Sequence, residues 1–309
     1  MPVATLTLNP AVDVTYEIGK LICNQKVRAK TSRFDPGGNG INVGRALKRL
    51  GIAASNFCVL AGETGAFLER LLARHLDDPV YVWVEGETRI NATILEQETG
   101  AQYEVTGQGP YLPKAVLEGL GERFVGQVGS GYGVVTGSVP PGVAEDAYAA
   151  FIRQIQSQGG RAVLDAHGGL LKEGVAAGPF LVKPNRYELE QLSGRPLPDL
   201  PSVLSEAEKI LAQGVAYVCV SLGKDGALLV GREARFLAAP PQVNVLSSVG
   251  AGDSLVAGLV AGFVRGLELP EVLRLAVAVS VGTVRQPGTE LFLPEELPQL
   301  LEQVQVRRL

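Results

Sequence analysis

This sequence predicts an α/β fold: a doubly wound, mostly parallel sheet with helices on both faces and a small β-sheet lid inserted into it. Three observations predict it. Short apolar runs alternate with stretches of helical periodicity through most of the chain. The runs are rich in Val and Leu and lack polar alternation, as strands buried on both faces do. Two stretches break the rhythm, with strand-like patterning and no helix between their strands.

The elements follow in order. VATLTL (3–8) is a strand closed by Asn9 and Pro10. VTYEIGKLICNQKVRAKTSRFD (14–35) alternates or forms a hairpin, and is the first exceptional stretch. PGGNG (36–40) is a glycine-rich turn opening a helix over Asn42–Leu50. SNFCVLA (55–61) is a strand and Phe67–Leu76 a helix. TRINATILEQETGAQYEVTG (88–107) is the second exceptional stretch. YGVVTGS (132–138), RAVLDA (161–166), PFLVKPN (179–185) and AYVCVSLG (216–223) read as buried strands. Helical patterns at Ala144–Gln158 and Ser202–Gln213 lie among them, and two more helices lie toward the C-terminal end. Either exceptional stretch alone would be a marginal two-stranded unit. Together they predict one lid over 13–35 and 87–108, with 1–12, 36–86 and 109–309 as the main domain. Two ordinary surface hairpins are the alternative.

Composition narrows the function classes. A chain of 309 residues, 46% hydrophobic, has ample core and is not disordered. A net charge of −4 gives no footprint for nucleic acid. Three cysteines without metal or redox spacing fit a reducing compartment, and MPVATLTLNPAVD has no signal-peptide pattern, so a cytoplasmic protein is expected. The apolar run Leu255–Val264 is too short to span a bilayer, and its Gly258/Gly262 pair reads as close helix packing. A P-loop motif is missing, and Leu255 stands where a dinucleotide fingerprint needs its third glycine. Two histidines, His75 and His167, leave little for histidine-based zinc sites or a Ser-His-Asp triad, and His75 reads as a surface helix residue.

Polar islands then stand at the ends of the expected strands: NPAVD, PGGNGINVG, TGSVPPG, KPNRYELE, SLGKDGA and SSVGAGDS. Each alone reads as ordinary turn chemistry. In the last, Asp253 is either a helix N-cap or an acid placed beside bare N–H groups of Gly250, Ala251 and Gly252, which make an anion site. Six islands along the carboxyl edge of one parallel sheet point to a site for a polyhydroxylated ligand and a phosphate donor.

PGGNGINV, KPNRYELE and VGAGDSLVAG, in this order and spacing, resemble the signatures of the phosphofructokinase B, or ribokinase-like, carbohydrate kinases. The resemblance runs over essentially the whole chain. Within the family TLNPAVD, TRIN, GQGP and SVGAGDS are most similar to bacterial 1-phosphofructokinases, with tagatose-6-phosphate kinases next. The resemblance implies ATP-dependent phosphorylation of a sugar phosphate, with Asp253 as general base and the N–H groups of Gly250, Ala251 and Gly252 as anion hole. It implies that Asp13, Gly38 and Asn42 hold sugar hydroxyls, and that Lys26, Arg28, Arg89 and Ser138 hold the substrate's own phosphate. Lys183 would reach the ATP phosphates, Asn185 and Glu188 would act on Mg²⁺ through water, and Ser221, Gly223 and Gly226 would line the nucleotide cleft. A homodimer through the lid is implied as well.

Two positions depart from the family pattern: Asn39 replaces the lysine usual in 1-phosphofructokinases, and DAHGG (165–169) replaces Asp-x-Ser-Gly. Glu104 stands where some fructose-6-phosphate kinases of the family carry an extra phosphate-binding arginine. The leading expectation is fructose 1-phosphate plus ATP giving fructose 1,6-bisphosphate. Tagatose-6-phosphate or fructose-6-phosphate kinase activity is the near alternative. A catalytically silent sugar-phosphate-binding module is the alternative of another class, and an intact Asp253 behind its glycines speaks against it.

Overall fold

Ten strands form the main sheet in the order β14-β13-β12-β11-β10-β9-β8-β1-β4-β5 in the structure, a computed structural model that describes all 309 residues. In chain order these are β1 (Val3–Thr7), β4 (Ser55–Ala61), β5 (Asp78–Val84), β8 (Tyr132–Thr136), β9 (Arg161–Asp165), β10 (Leu181–Val182), β11 (Tyr217–Ser221), β12 (Ala227–Gly231), β13 (Arg235–Ala239) and β14 (Gln305–Arg308). From β5 to β11 every neighbouring pair is parallel, and β12 to β14 add an antiparallel edge. β1, β4 and β8 are buried along their whole length, which is why they carry apolar residues on both faces.

The helices divide between the faces. α1 (Asn39–Arg49), α8 (Ala251–Val264) and α9 (Leu269–Val284) pack Val43, Leu47, Val256, Val260 and Ala276 on one. α3 (Lys114–Val128), α4 (Ala147–Ser157), α5 (Gly168–Ala176) and α7 (Leu200–Leu211) pack Leu120, Phe124, Ile152, Leu171 and Val203 on the other. Inside α8, a Cβ on Gly258 would strike the Ala276 backbone and one on Gly262 would crowd Val272, so the GxxxG pair does serve close packing of α8 on α9. No helix is long and apolar enough to cross a membrane.

β2 (Ala11–Ile18), β3 (Thr31–Gly37), β6 (Arg89–Glu96) and β7 (Gln102–Val105) form a second, four-stranded sheet in the order β3-β2-β6-β7. The two exceptional stretches therefore meet in one sheet, joined by the parallel β2–β6 pair, and are not separate hairpins. Each stretch contributes an antiparallel pair, β2–β3 and β6–β7.

Some elements differ from the sequence expectation. The helix expected over 67–76 is α2 (Gly62–Leu72), so His75 lies in the turn after it. Its early start has a remote cause: the Glu87 carboxylate accepts the first-turn N–H groups of Glu63 (3.2 Å) and Thr64 (2.9 Å). α1 likewise begins at Asn39 rather than Asn42, because Gly38 turns the chain at φ 124° just before it. α3 carries Gly119, Gly121 and Gly126, which weaken its helical signal, and tertiary packing overrides that propensity.

Candidate active site

Asp253 stands in the first turn of α8, behind Gly250 at φ 77°, a left-handed conformation that favours glycine. The capping alternative does not hold, since the N-cap is Gly250 and no side chain caps this helix. The buried carboxylate instead accepts Asn39 Nδ2 on Oδ1 (2.8 Å) and Asn42 Nδ2 on Oδ2 (2.9 Å). The backbone N–H groups of Gly250, Gly252 and Asp253 make no backbone hydrogen bond, whereas that of Ala251 lies 3.4 Å from the Ser248 carbonyl. Asp253's own N–H thus joins the set of bare donors, and Ala251 is the one already engaged in a turn.

Burial raises the Asp253 pKa to about 6; Asp165 adds to the rise, while the two asparagines and Lys183 oppose it. A base must be ionised to accept a proton. Activity that depends on this carboxylate is therefore expected to fall as pH drops through about 6. Burial also lifts Asp13 to about 6, so the acid limb should involve two protons and become a one-proton limb in Asp13→Asn. A pH–kcat/KM profile of both proteins checks this.

Lys183 leaves the end of β10 and makes a 3.0 Å ion pair with Asp165 at the end of β9, both nearly sealed from solvent. Burial alone would discharge the ammonium, but Asp165, Glu188 and Asp253 together outweigh it and raise its pKa. A Cβ built on Gly252 would lie 3.5 Å from Lys183 Nζ, so the ammonium faces the N-terminal turn of α8. Asn185 and Glu188 form a reciprocal capping box on α6 (Arg186–Ser193). Asn185 Oδ1 accepts the Glu188 N–H and Glu188 Oε2 accepts the Asn185 N–H, both at 2.8 Å. That leaves Glu188 Oε1 as the free oxygen of the pair. Burial raises the Glu188 pKa against the opposing pull of Lys183.

A cavity of about 580 Å³ opens on the other side of Gly252. Ser221, Gly223 and Gly226 line it, with Ala251, Val243, Val281 and Ser280. Its volume and its mixture of apolar wall and small residues suit a nucleoside. Gly226 is irreplaceable on geometry: at φ 94° its Cβ would overlap the Ala238 carbonyl.

Beneath the lid a second cavity, about 140 Å³, is bordered by Asp13, Asn91, Glu104, Ser247, Val249 and Thr289. Asn91 Nδ2 donates to Asp13 Oδ1 (2.8 Å), and a Cβ on Gly37 would occupy the Asp13 carboxylate. Gly38 runs against Thr7 and Pro10 at the mouth of α1. Ser138 Oγ accepts from Asn9 Nδ2 (3.1 Å), and Arg89 Nε donates to the Asn9 carbonyl (3.1 Å). Ser138 and Arg89 thus meet through Asn9. Lys26 and Arg28 do not join them: both are exposed in the irregular 19–30 connection between β2 and β3, and border neither cavity.

Sequence reasoning left several residues unassigned here. Asn39 was visible only as a departure, yet it touches the carboxylate directly. Asn91, Asn9 and Asp165 lie in quoted motifs (TRIN, NPAVD, DAHGG) whose polar members were readable as turn residues. Arg45, fully buried, donates to Asn42 Oδ1 (3.2 Å) and to the Thr289 carbonyl (3.2 Å). Its signal was spacing, three residues after Asn42 on a helix otherwise apolar at its centre.

Comparison with known proteins agrees with this geometry. Residues 2–296 match the model of the pfkB family carbohydrate kinases. The chain is 34% identical to the 1-phosphofructokinase of Bacillus subtilis over 99% of each chain. It is 34% identical to that of Escherichia coli K12, covering 99% of this chain and 98% of the other. Phosphofructokinase-2 from Escherichia coli, solved with substrates and products, superposes with a TM-score of 0.93 at 32% identity, over 98% of this chain and 99% of that one. With its motifs, its fold and these relatives in agreement, the chain belongs to the pfkB family of carbohydrate kinases.

Proposed function

We propose that this phosphotransferase makes fructose 1,6-bisphosphate from fructose 1-phosphate and ATP, with Asp253 as its general base. One observation carries the reading: a buried carboxylate of raised pKa sits beside bare N–H donors at a helix start whose approach borders both a nucleoside-sized cavity (Ser248, Ala251, Gly252) and a smaller polar one (Ser247, Val249). The curated relatives named 1-phosphofructokinase favour the substrate.

The residues divide the work as follows. Asp13 and Gly38 hold the sugar, Asn42 holds the carboxylate of the base, and Asp253 takes the proton of the attacking hydroxyl. The N–H groups of Gly250, Gly252 and Asp253, with Ala251 released from its turn, receive the charge on the transferred phosphoryl group. Lys183 meets the donor phosphates, and Ser221, Gly223 and Gly226 hold the nucleoside. No cluster of three or more acidic, histidine or cysteine side chains could grip a bare cation. The free Glu188 Oε1 beside Asn185 fits a hydrated Mg²⁺ instead, held through water. That ion would supply charge neutralisation on the phosphates. The three unpaired cysteines suit a reducing cytoplasm.

Arg89 anchors the substrate's own phosphate with Ser138, and Lys26 and Arg28 join when the 19–30 connection folds over the sugar. Arg89→Ala should raise KM for fructose 1-phosphate by roughly 10- to 100-fold, the loss of one charge-assisted hydrogen bond of about 1.5–3 kcal/mol. The poor rate on free fructose should barely change. Equal use of free fructose and fructose 1-phosphate by the wild type would overturn the clamp.

Phosphofructokinase-2 complexes, one with fructose-6-phosphate at TM-score 0.91, favour a second reading as a fructose-6-phosphate kinase. Glu104 counts against it: it borders the lid cavity, at the position where the family resemblance gives some fructose-6-phosphate kinases a phosphate-binding arginine. ADP release measured over fructose 1-phosphate, fructose 6-phosphate and tagatose 6-phosphate decides between them. Highest kcat/KM on fructose 1-phosphate is expected, and highest on either 6-phosphate would replace the reading.

The lid also bears on assembly. By strand alternation the side chains opposite in direction to Asp13, Asn91 and Glu104 include Phe34, Ile90, Tyr103 and Val105, exposed by 45%, 49%, 43% and 60%. An apolar sheet face of this kind is best covered by a second copy. Light scattering should give a dimer, and Val105→Lys should shift it toward monomer; a wild-type monomer with full activity would reject this.

A further inference from the structure

We propose that Arg45 is a positioning residue for the base: it fixes the side-chain amide of Asn42 so that Asn42 can only donate to Asp253. The inference rests on the reading of Asp253 as general base. A carboxamide has one accepting and one donating end, and either can face a neighbour. Here the accepting end is taken by Arg45 Nη1 (3.2 Å), which leaves the donating end for Asp253 Oδ2 (2.9 Å). The same Nη1 donates to the Thr289 carbonyl (3.2 Å), so the guanidinium itself is tied to a second element, the segment after α9. Glu290 lies 4.0 Å from Arg45 Nη2, and also pairs with Arg49 and with Arg33 of the lid.

The arrangement is costly unless it does something. Arg45 is 2% exposed, its Nε and Nη2 have no hydrogen-bond partner, and burial lowers its pKa. The charged groups facing it are Glu290, Arg49 on its own helix, and Asp35 and Arg33 on β3; Asp13 on β2 and His75, beyond α2, feel its charge in turn. An apolar residue of the same volume would often be no less stable at such a site. What an apolar residue could not do is hold the Asn42 oxygen.

Without that hold, the amide can turn its oxygen toward Asp253. A carbonyl oxygen opposite a carboxyl group favours the protonated acid, so the base would titrate at higher pH. The other groups acting most on Asp253 are Asp165, Lys183 and Asn39. Loss of the Arg45 charge would also act on Asp253 directly, so the effect that passes through Asn42 is the one seen when the charge is kept.

The test uses the full-length enzyme and two variants, Arg45→Met and Arg45→Lys. Lysine keeps the charge but is one bond shorter, so its ammonium falls short of the Asn42 oxygen and the Thr289 carbonyl that Nη1 reaches. Both variants should lose roughly 10- to 100-fold in kcat with little change in KM for ATP, as misplaced catalytic groups do. In an Asp13→Asn background, where one proton is left in the acid limb, both should also move that limb of kcat/KM upward by about one pH unit, a tenfold change in proton affinity. ¹³C-carboxyl NMR of Asp253, assigned with Asp253→Asn, reads the same shift in the absence of substrate. If Arg45→Met does not fold, Arg45→Lys and Glu290→Gln carry the test, Glu290→Gln giving a smaller shift of the same sign. An unchanged Asp253 midpoint in folded Arg45→Lys overturns the proposal, even if kcat falls. A wild type that phosphorylates no sugar phosphate, with the midpoint shift intact, would overturn the proposed function and leave the positioning established.

Discussion

Asp253→Asn is expected to lower kcat by roughly 10²- to 10⁴-fold, the usual worth of general-base catalysis. Binding of sugar phosphate and nucleotide should stay within a few-fold of wild type. The change keeps the size of the side chain, and its Oδ1 can still accept from Asn39 or Asn42, which now donate to separate carboxylate oxygens. It removes a buried negative charge that Asp165 repels, so the fold should not suffer. The N–H donors of Gly250 and Gly252 are untouched and the residual rate should be theirs. Pre-steady-state turnover and isothermal titration of the variant check both halves. Turnover within a few-fold of wild type would mean that Asp253 only shapes the loop.

How much of this was legible in the sequence follows from where the information lies. The doubly wound sheet was readable because β1, β4, β8, β9 and β11 are Val/Leu runs closed by turn residues, a local property. The anion site at the start of α8 was readable because glycines and helix start are contiguous, and the family motif pointed to Asp253 as the proposed base. The second sheet was readable as two anomalies, but the β2–β6 pairing that unites them is non-local, since β6 bonds parallel to a strand 78 residues earlier (Ala11 opposite Arg89). Asn39, Asn42 and Arg45 recur at three-residue intervals on α1, a polar row on a buried helix. That row could have been singled out from spacing; its target on α8 could not. The placement of Lys26 and Arg28 was not legible. They share a stretch with strand residues, yet Gly19 and a left-handed Asn24 (φ 61°) release their segment from the sheet.

Lys183→Met should fail in two separable ways. Its Nζ is the partner of Asp165 at 3.0 Å, and Glu188 and Asp253 also depend on its charge. Removing one member of a buried ion pair costs about 3–5 kcal/mol, because the other is left uncompensated. Urea denaturation of wild type and variant measures it. Asp165→Asn added to Lys183→Met should restore most of the lost stability, since no buried charge is left unpaired. Turnover should not return, because the ammonium facing Gly252 is where the donor phosphates must be met. A double variant that recovered both stability and kcat/KM for ATP would show that Lys183 serves only to neutralise Asp165. A double variant that recovers stability alone assigns Lys183 to the donor phosphates, with Asp165 as the group that keeps its ammonium charged and in place while buried.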